Sequence, residues 1–181
     1  MRTEKYATTF GGSEYPASSK EYQEGVQLGA FLSSKGFIVK NGGYYGLMEA
    51  VAKGVSGNYG RTIGVLNGQF GSKPPNKYLT EIIKESDLFD RLRTLIKGSE
   101  LFIFQHGSIG TLEELMSVWC LKYTLHLEGA RICLIGTNWK HLLAGLHMLN
   151  IKKEEFFHLE LFDGLDEFIS QFELNDTYRN G

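Results

Sequence analysis

The sequence of 181 residues predicts a three-layer α/β fold built on a doubly wound, mainly parallel sheet. Short apolar runs typical of buried strands alternate with segments of helical periodicity along most of the chain. Glycine is frequent, with 22 residues against 3 prolines, and many glycines stand at strand–helix junctions. Repeated strand–loop–helix units imply parallel strands joined by right-handed crossovers.

The first half of the chain begins with a predicted strand at residues 6–10, which ends at a pair of glycines. Ser18 or Ser19 can cap a helix that extends to about Lys35, and Gly36 stands where a helix C-cap is expected. The next predicted elements are, in order, a strand at 37–39, a helix at about 46–55, a strand at 61–66, a turn-like segment at 67–76 and a peripheral strand at 78–84.

The second half continues the alternation, and its first helix carries Leu88, Leu92 and Leu95 at helical spacing. At this length the chain is expected to form a single domain that covers residues 1–181. The predicted elements are, in order, a helix at 87–97, a strand at 101–104, a helix at 111–125, a strand at 131–135, a helix at 139–149, and a tail at 156–172 with a short extended piece and a closing helix.

Composition and charge argue against several classes of partner. The formal net charge is −2 and the basic residues are dispersed, so neither nucleic acid nor an anionic membrane is an expected partner. The N-terminus lacks an apolar signal core, and no apolar stretch is long enough to span a bilayer. Cys120 and Cys133 have no neighbours at metal-ligand spacing, so we expect a cytoplasmic protein without a metal site.

Two glycine-bearing segments carry most of the functional information. Residues 41–49 (NGGYYGLME) and 106–114 (HGSIGTLEE) each follow an apolar run and lead into a helical pattern. Such turns let backbone N–H groups approach an anion, and the helix N-terminus adds about half a positive charge. The sequence therefore predicts a phosphorylated ligand at the carboxyl edge of the sheet. Glu113 and Glu114 are expected in the first turn of the second helix, which suggests chemistry as well as binding.

The order and spacing of four motifs resemble the LONELY GUY family. These motifs are Gly11-Gly12-Ser13, Gly42-Gly43-x-x-Gly46-Leu47-Met48, Arg91, and Gly107-x-x-Gly110-Thr111-x-x-Glu114, within residues 6–125. Members of that family are nucleoside 5′-monophosphate phosphoribohydrolases that release cytokinin bases, and many have been labelled lysine decarboxylases. The resemblance implies a Rossmann-like domain that forms a homo-oligomer, a dimer or larger.

Residue by residue, Arg91 matches the family's catalytic arginine and Glu114 the glutamate that ends the second motif. The implied reaction hydrolyses the N-glycosidic bond of a nucleotide such as AMP or a cytokinin nucleotide, with no cofactor. Glu114 would stabilise the oxocarbenium-like sugar, and Arg91 would hold the phosphate or ribose. The implied nucleotide- and phosphate-binding residues are Gly11, Gly12, Ser13, Gly42, Gly43, Gly46, Met48, Gly107, Ser108, Gly110, Thr111 and Glu113.

The chain also departs from the family pattern. Asn41 and Glu49 replace glycines of the first motif, and Leu92 replaces a lysine that is a phosphate or ribose contact. In the second motif His106 replaces a proline and Ser108 replaces a glycine. These departures bear directly on whether the chain retains catalysis.

Three functions therefore stay open on the sequence alone. The run at 46–54 looks more like the molybdenum-cofactor carrier branch, whose members bind a phosphorylated pterin without hydrolysis. The alternatives to the hydrolase are a non-catalytic carrier of a nucleotide or of the molybdenum cofactor with the same fold, and a nucleotide sensor that reports ligand occupancy to a partner protein. Tyr44 and Tyr45 could stack on a planar ligand or pack at the helix start, and His106 could be an acid–base group or a loop residue.

Overall fold

The structure is a computed structural model that describes residues 4–68 and 73–179, with side chains described as far as residue 174. Part of the predicted turn segment, residues 69–72, lies outside the described residues. The strands are β1 (Lys5–Phe10), β2 (Phe37–Asn41), β3 (Thr62–Asn67), β4 (Glu81–Glu85), β5 (Leu101–Phe104), β6 (Arg131–Ile135) and β7 (Leu159–Phe162). The helices are α1 (Lys20–Ser34), α2 (Leu47–Gly57), α3 (Leu88–Ile96), α4 (Ile109–Tyr123), α5 (Asn138–Leu146), α6 (Lys153–Phe156) and α7 (Leu165–Arg179).

The seven strands form one sheet in the order β4-β3-β2-β1-β5-β6-β7, and every neighbouring pair is parallel. The chain runs outward from β1 in one direction through β2 and β3, and then returns to the other side of β1 with β5. The strand order therefore reverses between β1 and β5, and ligands of open α/β sheets bind at the carboxyl ends of such a pair. The predicted fold class is confirmed, including the peripheral position of β4.

Two apolar cores cover the two faces of the sheet. On one face Leu28 of α1, Val51 of α2 and Phe168 of α7 are fully buried in one cluster. On the other face Leu95 of α3 and Leu115 of α4 belong to a second cluster, together with part of α5. The sheet thus lies between two helical layers.

Local signals explain most element boundaries. The Ser19 side chain accepts a hydrogen bond from the Tyr22 N–H at 3.2 Å, so Ser19 is the N-cap of α1. Gly36 follows that helix with φ +80°, as a residue after a helix C-terminus often does. Asp87 caps α3 by accepting from the Asp90 N–H at 2.9 Å.

Several boundaries differ from the sequence prediction, including the end of α5, which lies at Leu146 instead of residue 149. Helix α4 begins at Ile109, two residues earlier than expected, and its first turn contains no acidic residue. The prediction that Glu113 and Glu114 lie in the first turn is therefore wrong, and both belong to the second turn. Strand β2 continues to Asn41, and β4 begins at Glu81 instead of residue 78. The short helix α6 was not predicted.

No described helix is long and apolar enough to cross a membrane. Among the described residues, His, Cys, Asp and Glu side chains do not gather in any group of three that could hold a metal ion.

Candidate functional site

Three loops meet where β1, β2 and β5 end: the Gly12 turn (residues 11–13), the Gly42 loop (residues 42–46) and the Gly107 loop (residues 106–110). The Gly12 N–H donates to the carbonyl oxygen of His106 at 2.9 Å. The Gly12 carbonyl oxygen accepts from the N–H of Leu47 at 2.9 Å. Gly12 therefore links the two long motifs by its own backbone, and the sheet brings together loops that are distant in sequence.

Apart from Tyr45, the Gly42 loop is buried, and several of its backbone groups are hydrogen-bonded within the protein. The Asn41 side chain accepts from the Gly43 N–H at 2.8 Å and donates to the Met48 carbonyl oxygen at 3.0 Å. The Asn76 N–H donates to the Gly43 carbonyl oxygen at 2.9 Å, and its side-chain amide donates to the Tyr44 carbonyl oxygen at 2.8 Å. Asn41 thus stabilises this loop, although it replaces a glycine of the family motif.

The glycines of this loop allow close approach by other groups. A Cβ atom on Gly42 would lie 2.2 Å from Nη2 of Arg91 and 2.6 Å from Sδ of Met48. Gly46 has φ +64°, and a Cβ atom there would lie 2.5 Å from the carbonyl oxygen of Gly12. Gly43 has φ +77°, and a Cβ atom there would lie 2.6 Å from Cδ2 of Leu66. The loop therefore forms a wall against which the Arg91 guanidinium lies.

The Gly107 loop, in contrast, faces solvent. Residues 107–110 are exposed, and Ser108 is the N-cap of α4 without a side-chain hydrogen bond to the helix. A Cβ atom on Gly110 would have open space around it, whereas one on Gly107 would lie 2.1 Å from Oγ1 of Thr111. Thr111 is buried behind Gly107. Since the first N–H groups of a helix lack intrahelical partners, this exposed loop presents donors suited to an anion.

Arg91 and Glu114 come together between these two loops. Arg91 extends from α3, and its Nε donates to the Val65 carbonyl oxygen at 2.8 Å. Its Nη1 lies 3.6 Å from Oε1 of Glu114, which extends from α4. The exposed fractions of the two side chains are only 9% and 14%. The pair is thus an ion pair held largely away from water, with one guanidinium N–H group fixed by the sheet.

The surroundings of Glu114 shift its ionisation. Burial raises the pKa of Glu114 to about 7, the positive charge of Arg91 lowers it, and the neighbouring Glu113 raises it further. A carboxyl group with this pKa is about half ionised at neutral pH. It can therefore donate or accept a proton under physiological conditions, which an ordinary glutamate does poorly.

The far end of α3 is anchored to the sheet by residues that the sequence reasoning missed. The Thr8 hydroxyl donates to the Leu95 carbonyl oxygen at 2.7 Å. The ammonium group of Lys40 donates to the carbonyl oxygens of Thr94 and Lys97, and burial lowers the pKa of Lys40 to about 8. A lysine inside an otherwise apolar strand was the available signal. These contacts fix the position of the helix that carries Arg91.

Several motif residues have supporting positions. The backbone of Ser13 lies against Gly46, and Gly11 packs against the side chain of Leu47. The Ser117 hydroxyl donates to Glu113 at 3.1 Å, so that carboxylate is bonded along its own helix. Met48 contacts Gly42 as described above.

The structure shows the surroundings of four further side chains, Tyr44, Tyr45, Leu92 and His106. Tyr44 is buried and its hydroxyl donates to the carbonyl oxygen of Asn67 at 3.2 Å, so it packs within the protein; Tyr45 is 41% exposed. Leu92, in the place of the family lysine, packs against the core of the α3 face. The half-buried ring of His106 lies so close to Gly136 that a Cβ atom there would be 2.8 Å from its Nε2.

A parallel sheet with glycine loops at its switch point defines an α/β protein of the doubly wound class. The sequence model of the SLOG cluster4 family matches residues 5–137, and the chain belongs to this family. A protein of Oryza sativa subsp. japonica, named probable cytokinin riboside 5′-monophosphate phosphoribohydrolase, is 36% identical over 112 residues, or 60% of this chain and 45% of that protein. A Mycobacterium marinum protein named cytokinin riboside 5′-monophosphate phosphoribohydrolase is 26% identical over 115 residues, or 60% of this chain and 62% of that protein.

The matched part of the chain thus spans about half the length of the curated relatives. Among solved structures, a molybdenum cofactor binding protein from Rippkaea orientalis has a TM-score of 0.74 at 16% identity, with 96% of this chain and 97% of that chain covered. At this identity the likeness shows a shared fold alone. The predicted relationship to the LONELY GUY family is confirmed by the relatives' names and the family match.

Proposed function

We propose that this protein is a nucleoside 5′-monophosphate phosphoribohydrolase. It would hydrolyse the N-glycosidic bond of a nucleotide such as AMP or a cytokinin nucleotide and yield a free base and ribose 5-phosphate. The observation that supports this most is the largely buried Arg91–Glu114 pair, 3.6 Å apart, beside an exposed glycine loop. The names of the curated relatives agree with this reaction.

Phosphate recognition is assigned to the Gly107 loop. Its exposed backbone at the start of α4 offers N–H donors and the positive end of the helix dipole. The Arg91 guanidinium adds positive charge nearby, although its Nε is already bonded to Val65. In this proposal the Gly42 loop and the Gly12 turn hold Arg91 and the Gly107 loop in place.

The chemical step is assigned to Glu114. As the bond between C1′ and the base nitrogen breaks, positive charge develops on the sugar, and an ionised carboxylate beside it stabilises that charge. The departing base takes up one proton from solvent at the nitrogen that leaves C1′. Water then adds to C1′ and gives one proton to Glu114, which returns it to solvent, so that overall water supplies the hydroxyl on C1′ and the hydrogen on the base. With a pKa of about 7, Glu114 is sufficiently ionised at neutral pH for this role and basic enough to take the proton.

A product assay tests the proposal. Wild-type protein and the Glu114→Gln variant are incubated with a panel of nucleoside monophosphates, and the products are separated by chromatography. We expect free base only with the wild type, with turnover reduced by about 10³-fold or more in the variant and affinity little changed. The matched control is Glu128→Gln, which alters an exposed loop carboxylate and should leave turnover intact. Unchanged turnover in Glu114→Gln would exclude Glu114 as the reacting carboxyl group.

A non-catalytic carrier of a nucleotide or of the molybdenum cofactor is the second candidate. It is favoured by Leu92, a partly buried residue that packs against the core where the family has a lysine, and by the fold shared with a molybdenum cofactor binding protein. A thermal shift with a nucleotide or a phosphorylated pterin, without release of base, would favour this candidate over the hydrolase.

We further propose that residues 1–181 act as one domain that assembles as a homo-oligomer. Supporting this, large apolar side chains are exposed at the N-terminal ends of α3 and α4: Phe89 at 76% and Ile109 at 79%. Sedimentation of the wild type as a dimer or larger, and of Phe89→Asp as a monomer, is the expected result. A monomeric wild type at micromolar concentration would contradict it.

A further inference from the structure

The C-terminal end of α3 is bonded by two side chains of the sheet beneath it. Thr8 of β1 and Lys40 of β2 are register partners. The Thr8 hydroxyl donates to the carbonyl oxygen of Leu95 at 2.7 Å. The ammonium group of Lys40 donates to the carbonyl oxygen of Thr94 at 3.3 Å and to that of Lys97. Because the last carbonyl groups of a helix have no partner within it, these bonds from the sheet satisfy them.

Lys40 is a buried cation whose charge is used on the end of this helix. The residue is only 7% exposed, and among the described residues it forms no ion pair with a carboxylate. Its Nζ atom lies 5.0 Å from the centre of the Tyr6 ring. Burial and the neighbouring positive charge of Lys97 lower the pKa of Lys40 to about 8. A buried charge is unfavourable unless it is bonded, and here its partner is the negative end of the α3 dipole.

The helix that Lys40 holds also carries Arg91, one turn before Thr94. The Arg91 Nε donates to the Val65 carbonyl oxygen at 2.8 Å, and its Nη1 lies 3.6 Å from Oε1 of Glu114. Glu114 extends from a different helix, α4, so the distance between the two groups depends on where α3 lies on the sheet. Since a helix of nine residues moves as one element, a displaced C-terminal end would also displace Arg91.

We propose that Lys40 is a positioning residue: by holding the C-terminal carbonyl groups of α3, it keeps Arg91 aligned with Glu114. The inference rests on the proposed function where it concerns turnover. The alignment itself can be measured without a substrate.

The ionisation of Glu114 reports this alignment. The glutamate carboxyl carbons are titrated by NMR in wild type, Lys40→Met and Lys84→Met, and the Glu114 signal is identified by its absence from Glu114→Gln. Because Arg91 lowers the pKa of Glu114, a looser ion pair in Lys40→Met should raise that pKa by about 0.5 or more from its value of about 7. Lys84 is an exposed lysine of β4, and Lys84→Met is the matched control that should titrate as wild type does. An unchanged pKa of Glu114 in Lys40→Met would overturn the proposal.

Turnover of AMP gives the second measurement. In Lys40→Met we expect kcat to fall about tenfold or more, because a misplaced Arg91 acts on the chemical step. KM should stay within about twofold, since phosphate recognition is assigned to the Gly107 loop on α4. Lys40→Arg keeps the charge and the donors and should restore most of kcat. A raised KM with unchanged kcat would overturn the proposal.

The pH dependence of kcat separates positioning from a purely structural role. The titratable groups that face Lys40 are Tyr6 and Lys97, and its register partner on β3 is Ile63. In wild type, kcat should fall above about pH 8, where Lys40 loses its charge. Lys40→Arg stays charged at that pH and should not show this fall. The same fall in both proteins would overturn the proposal, and this comparison holds even if Lys40→Met fails to fold.

The alignment and the proposed function fail separately. If the pKa of Glu114 rises in Lys40→Met but wild type releases no base from AMP, the role of Lys40 stands and the proposed function fails. If wild type releases base but Lys40→Met matches it in both kcat and the pKa of Glu114, the proposed function stands and the role of Lys40 is wrong.

Discussion

The two glycine loops have similar sequences and very different surroundings. The Gly42 loop is buried, its backbone is bonded to Asn41 and Asn76, and its glycines lie against other groups. The Gly107 loop is exposed, its N-cap Ser108 makes no side-chain hydrogen bond to the helix, and Gly110 has open space around it. Glycine therefore allows close packing in the first loop, whereas in the second loop Gly110 lies exposed with open space around it. A glycine-rich strand–helix junction is not by itself an anion site.

The largest expected difference is in stability between Gly46→Ala and Gly110→Ala. Gly46 has φ +64° and ψ −131°, a region that alanine avoids, and the new Cβ atom would meet backbone atoms of residues 12 and 13. We expect a loss of about 3 kcal/mol or more in the free energy of unfolding. Gly110→Ala should be neutral or stabilising by about 0.5–1 kcal/mol, because it lies in a helix with open space. Urea denaturation measures both.

Ligand binding by the Gly110→Ala variant gives a second test of the difference between the two loops. Gly110→Ala adds a methyl group on the face that is assigned to phosphate, so ribose 5-phosphate should bind more weakly although the protein is as stable as the wild type. If Gly110→Ala destabilised the protein as much as Gly46→Ala does, the two loops would not differ in the way described.

The second prediction concerns the pH dependence of stability, which we expect Glu114 on helix α4 to dominate. Its pKa is about 7 in the folded protein against 4.5 as the reference value, so the folded state binds more protons between these pH values. Stability should therefore fall as pH rises from about 4.5 through 7, by on the order of 3 kcal/mol. Arg91 and Glu113 are the charges that act on this group.

Denaturation of wild type and Glu114→Gln at pH 5 and pH 8 isolates this effect. The unfolding free energy of the variant should not show the fall that Glu114 causes between these pH values. The variant should therefore be more stable relative to wild type at pH 8 than at pH 5. Parallel pH dependence in the two proteins would mean that Glu114 ionises normally.

The smallest expected difference is between Asn41→Ala and Ser108→Ala. Asn41 makes two hydrogen bonds inside the Gly42 loop, and its loss would leave the Gly43 N–H and the Met48 carbonyl oxygen unpaired in a buried place. We expect a loss of about 1–3 kcal/mol in unfolding free energy. Ser108→Ala removes no side-chain hydrogen bond to its helix and should change stability by less than about 0.5 kcal/mol. Similar losses in both variants would contradict the contrast between the loops.

The sequence was sufficient for the order of the elements because each strand is a short apolar run between turn residues. It failed at the start of α4, where Gly110 and Ser108 are weak helix formers and made residues 109–110 look like loop. The four-residue helix α6 is too short to show periodicity.

At the site, the motif spacing was enough to single out Arg91 and Glu114, whose side chains the structure brings within an ion-pair distance. The difference in exposure between the two loops was not predictable from sequence. The Gly42 loop is hydrogen-bonded to Asn76, which is 33 residues away from Gly43. The anchoring of α3 by Thr8 and Lys40 likewise depends on contacts between distant segments. Such long-range contacts leave no periodic signal in a single sequence.

The most direct test of the account is an amide NMR titration of Glu114→Gln protein with ribose 5-phosphate and AMP. If the Gly107 loop binds phosphate and the Gly42 loop is its support, both ligands should shift the amide signals of residues 107–111 strongly and those of residues 42–46 little. Strong shifts at residues 42–46, with residues 107–111 unaffected, would contradict the account and assign the ligand to the buried loop.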